Sequence, residues 1–126
     1  MDKVNEIWRK VREMSHKTES HLIPVYEPAI VPFVMTDGFS VSVQARNGNY
    51  CSPRENYVEG LEYSEFELGF PSEFEPLLDE YADQRGTTDT VFGYVPVDVI
   101  AQVIEKHGDI DWEGIKRIII KKGLSH

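Results

Sequence analysis

Two stretches of apolar–polar alternation constrain this chain more than any other feature. In residues 39–45, Phe39, Val41, Val43 and Ala45 alternate with Ser40, Ser42 and Gln44. Residues 63–70 repeat the period, with Ser64, Phe66, Leu68 and Phe70 set against Tyr63, Glu65, Glu67 and Gly69. A pleated strand sends successive side chains to opposite faces, so this spacing predicts two strands with one buried face and one of Ser, Gln, Tyr and Glu. Upstream, Phe33, Val34 and Met35 lead through Thr36, Asp37 and Gly38 into the first stretch, and Asp-Gly between β-rich runs predicts a hairpin.

Helical periods flank these strands. Val4, Ile7, Trp8, Val11 and Met14 follow the i, i+3, i+4, i+7 spacing of an amphipathic helix whose other face carries Lys3, Arg9, Lys10, Arg12 and Glu13. Between His21 and Pro32, the prolines Pro24, Pro28 and Pro32 predict an extended connector or edge strand. Ser72 to Glu75 resembles a capping box, and Pro76 suits a first helical position; either start gives a short helix to about Tyr81. Val91 to Val95 reads as a strand with Gly93 at a bulge. Pro96 then opens a helix on Val97, Ile100, Ala101 and Ile104 that Gly108 ends, and Asp109 and Asp111 precede a last helix on Trp112, Ile115, Ile118 and Ile119.

Helices at both ends and loop-linked strands between them predict one α+β domain over residues 1–126, with a small, mainly antiparallel sheet. The 40% hydrophobic fraction suffices for one core. No run reaches the roughly 20 apolar residues of a membrane span, and the first residues lack secretory-signal character, so a cytoplasmic protein is expected. The single cysteine, Cys51, forms no internal disulfide or cysteine-based zinc cage, which agrees with a reducing compartment.

The net charge of −9 is concentrated: residues 55–89 hold eleven acids and one base, Arg85, while the rest of the chain holds eleven acids and twelve bases. Such a field disfavours direct nucleic-acid binding and favours a protein partner with a basic surface. The outer strand face would present Ser42, Gln44, Tyr63, Glu65 and Glu67 to it. A second candidate is the loop from Arg46 to Arg54, where Arg46, Asn49, Tyr50 and Arg54 offer donors for a small anion or nucleotide around Gly48. The same residues also build an ordinary turn whose arginines pair with Glu55, Glu65 or Glu67.

Other chemistry is weaker. A neighbouring Arg54 would activate Cys51 as a nucleophile, but no histidine stands at a recognised spacing from it, and a packed thiol is the simpler reading. His107 with Asp109, Asp111 and Glu113, and His16 with Glu19 and His21, lack the recurrent spacings of metal sites. Neither a metal nor a cofactor is expected.

Phe39-Ser-Val-Ser-Val-Gln-Ala45, Tyr50-Cys-Ser-Pro-Arg54, Glu67-Leu-Gly-Phe-Pro-Ser72 and the stretch from Tyr94 to Gly108 resemble small phage and prophage proteins that have no assigned activity. The resemblance covers about half the chain. It implies a genetic setting and adds no catalytic residue. The expected function is therefore that of a non-enzymatic accessory or regulatory protein, phage-encoded on that resemblance, which binds a partner through its acidic surface. A small-anion module is the alternative, a cysteine-dependent enzyme is third, and self-association is compatible with each.

Overall fold

The computed structural model describes residues 2–16 and 31–122. Most of the proline-rich connector, with Pro24 and Pro28, lies outside those residues. The described chain is one α+β domain with four helices and a four-stranded antiparallel sheet. Strands β1 (Phe33–Val34), β2 (Ser40–Gln44), β3 (Glu65–Gly69) and β4 (Val91–Pro96) lie in chain order across it. The β1–β2 hairpin turns at Gly38, whose φ of +96° suits a residue without a Cβ. The Phe39 N–H donates to Asp37 Oδ1 at 2.9 Å, closing the turn.

Val41 and Val43 of β2, and Phe66 and Leu68 of β3, are all buried, as alternation requires. Helices α1 (Lys3–His16), α3 (Val97–Lys106) and α4 (Trp112–Lys121) share that core: α1 packs on α3 and α4, α3 on β4, and α4 on β1. Capping defines the helix ends. Asp111 accepts from the Gly114 N–H at the start of α4, and Gly108, at φ +89°, follows the His107 C-cap of α3. Of the two starts compatible with the sequence, α2 (Pro76–Asp79) takes Pro76, with Glu75 as its cap. Ser72 is engaged elsewhere: its N–H donates to the Ser40 carbonyl, and its Oγ accepts from the Ser40 N–H.

Alternation fails at both ends of the second stretch. Tyr63, expected on the outer face, is buried against Trp8 and Phe66. The pleat begins only at Glu65, and the chain before it is held by Asn5, a fully buried residue of α1. Asn5 Oδ1 accepts from the Tyr63 N–H at 2.9 Å, while its Nδ2 donates to the Tyr63 carbonyl at 2.8 Å. One amide thus replaces a strand partner. At the other end Phe70, expected inward, leaves the sheet at φ +50° and is exposed.

Asn5→Ala strands both Tyr63 backbone groups in the core, where each unmade hydrogen bond costs about 1–3 kcal/mol. Urea unfolding should show a loss of about 2–6 kcal/mol by the same rule. Lys3→Ala, which removes the exposed ion pair to Asp109, should cost under about 1 kcal/mol.

Candidate functional site

The segment after Gln44 does not turn straight back. Residues 45–51 leave β2 and return at Ser52, which pairs with Glu65. In between, the loop crosses the outer side of β3 and reaches β4, where the Tyr50 carbonyl accepts from the Tyr94 N–H at 2.9 Å. Gly93 makes the crossing feasible, because a Cβ there would lie 3.2 Å from the Tyr50 Cβ. The crossing covers Glu67, whose carboxylate accepts from Asn49 Nδ2 at 2.9 Å and from the Tyr50 N–H at 3.2 Å.

The pairing of β3 with β4 shifts at this point. Phe66 faces Val95 and Leu68 faces Phe92, so Gly93 and Tyr94 together oppose Glu67. This is the bulge the sequence predicts at Gly93. Tyr94 takes φ +52°, a left-handed conformation uncommon for a bulky side chain. Its ring stacks on Tyr50 with centroids 5.8 Å apart, and the Arg54 guanidinium lies 5.1 Å from the Tyr50 centroid. Both tyrosines remain accessible, at 48% and 42%, and Arg54 is exposed. The result is an exposed ladder of two rings and a cation, held in place by a strained bulge.

The residues expected to bind divide accordingly. Tyr50 and Arg54 stand together at the surface. Asn49 is buried beneath them, its Nδ2 on Glu67 and its Oδ1 without a partner among the described residues. Arg46 is half-buried, and its carbonyl accepts from the Asn49 N–H and the Cys51 thiol. Of the proposed partner face, Gln44, Glu65 and Glu67 are half-buried, and Ser42 is buried with its Oγ donating to the Gly69 carbonyl. Tyr63 belongs to the core. The open polar sheet face is therefore a face partly roofed by its own loop.

Cys51 is 1% exposed, and burial, the largest influence on it, pushes its thiol above the ordinary range. The hydrogen bonds it donates run to the backbone oxygens of Arg46 and Pro53. This is the packing of an inert thiol.

A second constellation has no spacing that marks it in the sequence. His107, 7% exposed, lies between two carboxylates: Nδ1 is 2.6 Å from Asp37 Oδ2, and Nε2 is 2.7 Å from Glu75 Oε1. Its ring stacks on Phe39 at 4.1 Å. Buried Glu75 also accepts from the Leu77 N–H and from Lys106 Nζ, each at 2.9 Å. Asp109, Asp111 and Glu113, grouped with His107 in the sequence, turn instead to Lys3, Gly114 and Lys116. The cluster of Glu19 and His21 lies outside the described residues, as does the side chain of His16.

Burial alone would lower the His107 pKa, but Glu75 and Asp37 outweigh it and raise the value above 6.5. Burial would likewise raise Glu75, yet the Leu77 N–H, His107 and Lys106 hold it below 4.5. Asp37 is lowered chiefly by the Phe39 N–H and then by His107. Comparisons of the chain with protein-family models, curated proteins and solved structures find no match.

A histidine bound more tightly in its protonated form gives stability that is complete below its unfolded value of 6.5 and is lost as pH climbs through the raised folded value. Glu75 and Asp37 act oppositely: their contribution is complete above 4.5 and 3.8 and is lost as pH falls through the lowered folded values. Stability from this network should peak between 4.5 and 6.5. Urea unfolding should then show a decline above 6.5, with a slope of at most about 1.4 kcal/mol per pH unit. A profile that does not decline above 6.5 contradicts the raised affinity of His107 for its proton.

Proposed function

We propose that this protein is a non-enzymatic accessory or regulatory module that docks a protein partner with a basic surface, using Tyr50 and Tyr94 as anchors. The observation that carries the reading is the Tyr50–Tyr94 stack, exposed and supported by a bulge that forces Tyr94 into a left-handed backbone. Strain of about 1–3 kcal/mol at an aromatic that stays largely exposed, its ring meeting only the Tyr50 ring among the described aromatic residues, supports a role in contact with a partner. Tyrosine and arginine are the residue types that concentrate binding energy at interfaces.

Charge supports a basic partner. Within residues 55–89, Glu55, Glu59, Glu62, Glu73, Glu80, Asp83 and Asp89 are exposed and give the surface a negative field. Glu65 and Gln44, half-buried beside the loop, complete the polar setting. Glu67 is removed from the partner face, because the loop already uses both its oxygens.

The small-anion reading is weakened by the same bonds. Asn49 Nδ2 and the Tyr50 N–H, two of its donors, already hold the Glu67 carboxylate, so an external anion would have to displace it.

The test is fluorescence anisotropy with labelled peptides of equal length, basic, neutral and acidic. Basic peptides should bind preferentially, with affinity falling steeply from about 50 to about 300 mM salt. Tyr50→Ala, which changes no charge, should weaken binding about tenfold, as loss of a central aromatic does. Unchanged affinity in Tyr50→Ala, or a nucleotide that raises the melting temperature while no peptide binds, overturns the reading.

Tyr94→Gly relieves a backbone cost of about 1–2 kcal/mol while deleting one anchor. Its unfolding free energy should match the parent or exceed it by up to about 1 kcal/mol, with peptide binding weakened. A large loss of stability would mean that the Tyr94 ring serves packing instead.

A further inference from the structure

The His107 network has an outer side. One donor atom each from Asp37, Glu73 and His107 falls within a group spanning at most 4.8 Å, with both acids exposed and the histidine buried. All three lie at the Ser40 end of β2, away from the Tyr50–Tyr94 ladder beyond Gln44. Asp37 is fixed by the hairpin turn, His107 by the end of α3, and Glu73 by the segment that joins β3 to α2.

The geometry points to a divalent-cation site of the zinc class formed by His107 Nδ1 and the carboxylates of Asp37 and Glu73. The buried Glu75 decides which nitrogen is available. A metal-binding histidine characteristically donates its other ring N–H to a carboxylate, which sets the tautomer and orients the ring. Here Nε2 faces Glu75 Oε1 at 2.7 Å, deep in the core, while Nδ1 faces Asp37 on the exposed side, where Glu73 joins the group. Phe39, stacked on the ring, prevents it from turning away.

An ion would enter by modest movement. Bonds of about 2.0–2.2 Å place neighbouring tetrahedral donors roughly 3.4 Å apart. The contact between Nδ1 and Asp37 Oδ2 would open from 2.6 Å, and Glu73, exposed and unrestrained by the core, would close inward. The ion takes the place of the Nδ1 proton, which passes to solvent. One imidazole nitrogen with two carboxylates suits Zn²⁺ better than the all-oxygen shells preferred by Mg²⁺ or Ca²⁺, and water would fill the remaining position.

The test uses the full chain, stripped with chelator, and Zn²⁺ alone. Calorimetry should give one ion per chain with a His107-dependent component, and the melting temperature should rise by several degrees at saturating Zn²⁺. Glu73→Gln should weaken this binding at least tenfold while leaving the metal-free melting temperature unchanged, since Glu73 is exposed. Nitrogen-15 spectra should show Nδ1 of His107 shifting on Zn²⁺ addition while Nε2 keeps its proton. Absence of a thermal shift, Glu73→Gln binding like the parent, a His107 ring indifferent to Zn²⁺, or an equal response to Mg²⁺ each overturns the assignment.

Discussion

A buried imidazole, His107, is held between two carboxylates that favour its protonated form, and much of this fold is arranged to keep those acceptors in place. Asp37 comes from the β1–β2 turn, Glu75 from the cap of α2 and His107 from the end of α3. Three elements distant in sequence therefore meet in one charge-assisted network. Its members also position backbone around them. Thr36 Oγ1 donates to the Gly108 carbonyl, and the Thr36 N–H to the Asp109 carbonyl, so the turn after α3 runs along β1. Removing one partner from such a buried group leaves an uncompensated charge, which is far costlier than losing an exposed ion pair.

The acidity of residues 55–89 consequently has two parts. Glu75 and Glu67 act as internal ligands, one for His107, Lys106 and a helix N–H, the other for the loop that crosses β3. Asp79 accepts from the Gly86 N–H and closes a turn. The exposed acids remain free to set the field outside the molecule. Charge count alone cannot separate these parts, because a carboxylate that organises backbone and one that faces solvent look alike in composition.

Features with a short period or a local cap were legible in the sequence. The strands at Val41–Val43 and Phe66–Leu68, the hairpin at Asp37–Gly38, the bulge at Gly93 and the ends of α3 and α4 all follow from residues within a few positions of each other. What the sequence hid was long-range. Asn5 reads as one more polar position on a helix, yet it satisfies Tyr63, 58 residues away. His107 reads as a cap, and only the fold brings it Asp37 and Glu75. The loop at residues 45–51 has turn chemistry, so its crossing to β4 is invisible until Gly93 and Tyr50 are seen in contact. Of the candidate site, Tyr50 and Arg54 are legible as neighbours in one loop; Tyr94, on a strand forty residues on, is joined to them only by the fold.

The edges of the sheet explain why a face, and not an edge, is the surface to consider for binding. An unpaired strand edge invites another strand, but here Ala82 bridges Phe92 on the far side of β4, and Ile110 bridges Met35 beyond β1. Edge groups that would pair an incoming strand are engaged within the chain: the Val91 carbonyl accepts from the Asp83 N–H, the Gly93 N–H donates to the Tyr81 carbonyl, and the Val34 carbonyl accepts from the Asp111 N–H. What the sheet offers outward is therefore side chains, and the loop over β3 has raised two rings and a guanidinium above an otherwise polar face. Tyr94 opposes its own backbone preference to stand there. A glycine at that position would make the bulge at lower conformational cost, so the tyrosine is accounted for by what its ring can touch and not by what its backbone needs.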